Sequence, residues 1–261
     1  MKKSLIWKFY TEGSEKPNYL IGTMHVRDAR AFQFEEAFKK AIIECDVFAT
    51  EFNLDDAQSG AAQMSMFLPE GASLKTLMSN KLYQKINATL LKKMGVELAQ
   101  FDRFKPLAIT NFLTESLLSN DRWLSLDETL WHCAKENGKI LRGIETFDEQ
   151  LEVLDKMTVA DQLKGLKDTM HDLGNFRKQL TRMANLYEQA DIEKLYKSAK
   201  KSAKGSRKLL LYDRNAIMAN RIADLAIDNS VCVAIGAGHL AGAKGVIRLL
   251  KNKGIVGKFN T

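Results

Sequence analysis

The chain has 261 residues, a net charge of +7 at pH 7, and 45% apolar and 27% charged residues. That length suits one large domain or two small ones with a sizeable core, and the composition is that of a soluble globular protein. No run approaches the roughly twenty apolar residues of a membrane span, so none is expected.

The N-terminus begins with basic residues, but Lys8 interrupts the apolar run that follows. No export segment is therefore expected, and the location it implies is cytoplasmic. Cys45, Cys133 and Cys232 lack metal spacing and lie in apolar periodic segments, as buried thiols in a reducing compartment do. The positive excess gathers between Lys194 and Lys208, with only Tyr196 as an aromatic neighbour and Glu188, Asp191 and Glu193 ahead of it. That pattern predicts a solvated helical face and no nucleic-acid partner.

In chain order, Leu5–Tyr10 and Asn18–Gly22 predict a hairpin. Phe34, Ala37, Phe38, Ala41 and Ile42 have helical spacing, and Asp46–Phe52 is the next strand. Strand, helix and strand in so short a span predict a βαβ unit and an at least partly parallel sheet. From Ser59 to about Asn137 the pattern is helical, clearest over Ser79–Met94, Pro106–Ser119 and Leu126–Glu136, the last capped by Ser125 or Asp127. A strand over Lys139–Leu141 runs into Gly143-Ile144-Glu145-Thr146. Helices resume over Phe147–Tyr187, Ile192–Lys201 and Leu209–Ile227, before a core strand at Val231–Ile235. A helix over Gly242–Lys253 and an edge strand over Ile255–Phe259 close the chain. No linker divides the sequence. The expected fold is one α/β domain over residues 1–261, with a mixed, largely parallel sheet built from both chain ends and a long helical insertion at 59–137.

Two stretches echo each other: Tyr19-Leu20-Ile21-Gly22-Thr23-Met24-His25 and Val231-Cys232-Val233-Ala234-Ile235-Gly236-Ala237-Gly238-His239. Each is an apolar strand with a glycine followed three residues later by histidine, which places both imidazoles beyond the carboxyl edge of a sheet, where open α/β folds bind ligands. Glu51 ends its own strand in like position, and Glu145 follows Lys139–Leu141. Two histidines and one or two carboxylates suit a divalent metal with a position left for water. The same residues also suit metal-free general acid–base work, and spacing does not choose between them. Arg214-Asn215 adds an arginine able to steady negative charge or to pair with a neighbouring acid such as Asp213. The run Gly236–Gly242 looks like a phosphate loop, but a dinucleotide fingerprint belongs to the first βαβ of its domain and little sequence follows here for a ribose-binding acid, which argues against a nucleotide site. His132 and His171 lie within helical patterns and are assigned structural roles.

These motifs together, with Ala49-Thr50-Glu51 and Gly143-Ile144-Glu145-Thr146, resemble the TraB/PrgY/GumN family, which includes the animal Tiki proteins and has bacterial members. The resemblance covers nearly the whole chain. It implies a metal-dependent hydrolase, peptidase-like as in the Tiki branch, with His25 and His239 as ligands of one divalent metal of the Mn, Co or Zn class and Glu51 as a further ligand or as general base on the bound water. Glu51, Glu145, Arg214 and Asn215 become the candidate catalytic residues, and the substrate a peptide or a small ester or amide. The erythromycin-esterase-like members of the wider superfamily keep open a metal-free esterase, and the same cleft could serve a non-catalytic binder of a peptide or signal molecule.

Overall fold

The computed structural model describes residues 3–13, 15–56, 64–203 and 205–255, the side chain of Leu154 excepted. Among the described residues five strands form one sheet: β1 (Ile6–Phe9), β2 (Asn18–Thr23), β3 (Val47–Thr50), β4 (Ile140–Gly143) and β5 (Val231–Gly236). Their order across the sheet is β1-β2-β5-β3-β4. β1 runs antiparallel to β2, and every other pairing is parallel. The fold is therefore α/β with a mixed, largely parallel sheet that joins both ends of the chain. β2, β3 and β5 are buried along their length, Gly236 alone being half-buried. Covering both faces is what allows their continuous apolar runs. β4 is the exposed edge.

The expected βαβ unit forms, with another strand between its two strands. β2, α1 (Glu35–Ile43) and β3 are consecutive, but β2 and β3 are not neighbours. The last strand of the chain, β5, inserts between them and pairs with both. Its apolar run can be buried on both faces only in the interior of the sheet, whereas β1 and β4 occupy the edges.

The helices divide between two cores. Phe38 and Ile42 of α1 join the sheet core with residues of α5 (Leu126–Glu136) and α8 (Leu173–Glu188), and with α9 (Ile192–Ser202), α10 (Arg214–Asp228) and α11 (Val246–Asn252). A second core is made by α2 (Leu74–Leu77), α3 (Asn80–Met94), α4 (Pro106–Leu117) and α7 (Val159–His171), centred on Ile86, Leu90, Ile109, Leu113 and Leu166. The segment 59–137 is thus shared: its earlier helices form the second core with α7, while α5 packs on the sheet through Leu130 and Trp131. Residues 57–63 of that segment lie outside the described residues. The remaining helix, α6 (Phe147–Asp155), follows the Glu145 turn.

Local signals fix the helix ends. Ser125 caps α5 in a reciprocal capping box with Glu128, an arrangement worth about 1 kcal/mol. Asp127 is therefore free for another task. α11 starts only at Val246, later than expected, because Gly242 has φ +89° and breaks the helix start. The expected edge strand over Ile255–Phe259 falls, Ile255 apart, outside the described residues. Among the described residues no helix is long and apolar enough to cross a membrane.

Candidate functional site

Because β2, β5, β3 and β4 are parallel neighbours, the residues that follow them share one edge of the sheet. His25 follows β2, His239 follows β5, Glu51 follows β3 and Glu145 follows β4. Backbone pairing continues past the strand ends, with Glu145 N–H donating to Glu51 O at 2.7 Å. His25, Glu51 and His239 line one cleft of about 220 Å³. Its walls are Met183 and Tyr187 of α8 with Leu195 and Ala199 of α9. The exposed lysines of α9, Lys194, Lys197 and Lys201, face solvent on its other side.

Two glycines make this edge possible, and for a reason other than turning the chain. A Cβ at Gly22 would lie 2.5 Å from Leu240 Cδ1, so Gly22 permits close approach of the turn after β5. At Gly236 a Cβ would meet Glu51 Oε1 at 3.1 Å, where the bare backbone instead donates its N–H to that oxygen at 2.8 Å.

The two histidines are anchored through Nδ1. His239 is buried, and its Nδ1 lies 2.6 Å from Asn215 Oδ1. Asn215 Nδ2 donates to the Lys244 carbonyl at 2.7 Å, so Oδ1 must be the acceptor and Nδ1 must carry the proton. Nε2 of His239 is then a bare lone pair, 3.9 Å from Glu51 Oε1. Burial holds its pKa below the ordinary histidine value, against the opposing charge of Glu51. His25 is exposed, and its Nδ1 lies 3.4 Å from Asp127 Oδ2 and 3.5 Å from Ser125 Oγ. Thr23 Oγ1 donates to the other Asp127 oxygen at 2.7 Å, while Oδ2 is buried with no hydrogen bond. Interaction with Asp127 raises the His25 pKa to about 9, against desolvation.

The carboxylates are gathered by Arg214. Its Nη2 donates to Glu51 Oε2 at 2.7 Å and its Nε to both oxygens of Glu145 at 3.1 Å. Burial disfavours the Glu51 anion, but His239 once it is protonated, the charge of Arg214 and the Gly236 N–H outweigh it and hold the pKa down at about 2. The two acids hold the Arg214 pKa above its ordinary value, against burial. Arg214 and Asn215 are consecutive at the start of α10, directly after a π-helical stretch over Lys208–Asp213. A π-turn shifts helical register, and such turns recur at functional sites. Here one residue reaches the carboxylates and the next reaches His239.

Glu51, Glu145, Arg214, Asn215 and His239 are thus linked at this edge, and His25 shares the cleft with Glu51 and His239, although not every residue has its expected role. The pairing of Arg214 is with Glu51 and Glu145 rather than Asp213. With Nε and Nη2 committed to carboxylates, Arg214 holds Glu51 in place and is not among the residues lining the cleft. Asp127 and Tyr187 were not foreseen as site residues; Tyr187 donates from its hydroxyl to Gly22 O at 2.7 Å. The capping box held the only signal for Asp127, since Ser125 caps the helix and leaves an acid in its first turn without a task. Among the described residues no group of three His, Cys, Asp or Glu side chains is placed to hold a metal ion. The donor chemistry nevertheless suits one in part. His239 offers a bare Nε2, His25 can offer its own after losing a proton, and Glu51 supplies a carboxylate already bound by Arg214 and Gly236.

These features define an open α/β protein with a histidine–carboxylate cleft at the carboxyl edge of its sheet, buttressed by arginine. The chain belongs to the TraB/PrgY/gumN family, whose profile matches residues 5–257. Among curated proteins it is similar to Metalloprotease TIKI2 of Danio rerio, 24% identical across 96% of this chain and 60% of that protein. It is likewise similar to the Metalloprotease TIKI homolog of Nematostella vectensis, 22% identical across 91% of this chain and 64% of the relative. The chain therefore spans about three fifths of the length of these relatives. No solved structure matches it.

Proposed function

We propose that the protein is a peptidase-like hydrolase acting in the cleft between His25 and His239. The observation that carries this reading is geometric: both imidazoles and Glu51 line one cleft, and each ring is anchored through Nδ1. That is how ligand and general-base histidines are oriented. The names of the relatives support a hydrolase of the peptidase type.

A divalent metal of the Mn, Co or Zn class, held by His25, His239 and Glu51, would supply Lewis acidity to lower the pKa of a water near the scissile bond. The chain's own groups divide the remaining work. Glu51 has its two oxygens occupied by Gly236 N–H and Arg214, which suits a fixed negative charge better than a proton acceptor. Without a metal, His239 Nε2 has no donor and can accept a proton from water; with one, that lone pair would be the ligand atom, and in both cases Asn215 fixes the tautomer that leaves it bare. Glu145 and Arg214 position Glu51 from behind. The substrate is a peptide or a small ester or amide able to lie in a cleft of about 220 Å³.

The test joins elemental analysis of protein purified without added ions to digestion of an unbiased peptide mixture, with His25→Ala as control. Metal at one equivalent and cleavage lost in the variant support the reading. Cleavage without metal moves the protein to metal-free hydrolysis by the same residues. Binding without cleavage makes the cleft a receptor for peptides.

A further inference from the structure

A cavity larger than this cleft lies away from it. It occupies about 580 Å³ between the second core and α8, and a shallower one of about 330 Å³ adjoins it through Arg177 and Thr181. The volume is in the range that drug-sized molecules occupy. Met94, Val96, Phe112 and Leu117 form its floor, and each is only half-buried, so apolar area there remains uncovered. Lys93, Arg177, Lys178 and Arg182 stand around the two cavities with no hydrogen bond or ion pair among the described residues. Arg30, the remaining cation, is answered by Asp28 at 2.6 Å and by Asn185. No carboxylate lines either cavity among the described residues.

An apolar floor beneath a rim of unanswered cations is complementary to one chemistry. We infer that this cavity binds an amphiphilic anion, an alkyl or acyl body seated on Phe112 and Met94 with a carboxylate or phosphate head between Lys93 and Arg177. The inference is independent of the hydrolase reading. A concave site also favours a single molecule over a membrane surface, which would need a protruding or flat basic face. The occupant would touch the loop that carries His25, because Arg30 and Ser119 line the cavity and both bind Asp28.

The experiment titrates the full chain by calorimetry with dodecanoate and dodecyl phosphate below their critical micelle concentrations. Dodecanol serves as the neutral isostere, and phosphatidylglycerol vesicles form a separate arm. Binding at one equivalent is expected for at least one of the anions, and the tighter of the two identifies the head. Dodecanol should bind at least about 10-fold more weakly, and added salt should weaken the anions. Arg177→Glu should weaken anion binding at least about 10-fold with unchanged melting, and Lys93→Glu serves should that variant misfold. Equal binding of dodecanol, wild-type affinity in both variants, or binding to vesicles alone overturns the inference.

Discussion

His25 and His239 end parallel neighbouring strands with the same local sequence pattern, yet the fold treats them oppositely. His239 sinks against a neutral amide, Asn215, and burial keeps it uncharged. His25 stays exposed beside a carboxylate, Asp127, which holds it cationic up to about pH 9. The strand motif therefore fixes where an imidazole stands but not its charge. The charge is set by partners from distant parts of the chain, an acid in the first turn of α5 and an amide at the start of α10. A site built this way has one histidine ready to accept a proton or a ligand bond at neutral pH and one that must first lose a proton.

The strongest way to break this pairing is to remove the carboxylate charge that lines the cleft with both histidines. Glu51→Gln keeps the shape but loses the anion beside His239 and the partner of Arg214. Hydrolysis should fall by at least about 10²-fold. Melting should fall too, since the largely buried Arg214 loses one of its two carboxylate partners. Full activity in this variant would remove Glu51 from the chemistry. Glu145→Gln acts on stability first. It breaks a buried pair with Arg214 and should cost on the order of 3 kcal/mol, read by urea unfolding. Its activity should drop about 10- to 100-fold, because Glu51 loses only its support.

The next two variants separate the corners. Asn215→Leu removes the acceptor for His239 Nδ1 and frees the ring to change tautomer. A fall of about 10- to 100-fold in kcat with KM little changed is expected; an unchanged kcat would reduce Asn215 to a packing role. Asp127→Asn leaves His239 alone and lowers the His25 midpoint from about 9 toward the ordinary value near 6.5. Imidazole titration by NMR reads this directly. Movement of the His239 resonance with it would show the corners to be coupled.

The separation between legible and illegible parts follows the same line. The apolar runs at Tyr19–Ile21, Val47–Ala49 and Val231–Ile235 are local patterns, and their burial on both faces followed from them. The glutamate and histidine positions at the strand ends were legible for the same reason. Strand order was not, because nothing local to β5 says that it inserts between β2 and β3. The division of the segment 59–137 between two cores was equally hidden, since the helical period of α5 does not differ from that of α3 or α4. Asp127 was legible only as a candidate helix cap and not as the partner of His25, because an acid in a first helical turn is already accounted for by the helix dipole.

The smallest effect concerns stability against pH, and it tests the comparison without any substrate. For His25 the folded pKa is raised, so its contribution is complete below the unfolded value near 6.5 and is lost as pH rises through about 9. His239 has the opposite sign. Its folded pKa is depressed by burial, so below about 6.5 the unfolded chain takes up a proton that the native ring refuses, and stability falls with pH. Glu51 adds a second acid-side loss, present above the unfolded carboxylate value and removed as pH falls toward about 2. Melting curves from pH 4 to pH 10 should therefore show a broad maximum with two arms of different origin. His25→Gln should flatten the alkaline arm alone, and His239→Gln the acid arm below about pH 6.5. The shifts are a few degrees at most, since His25 is exposed and its pair with Asp127 is screened by water. If both variants flatten the same arm, the two histidines share one environment and the contrast drawn from Asn215 and Asp127 fails.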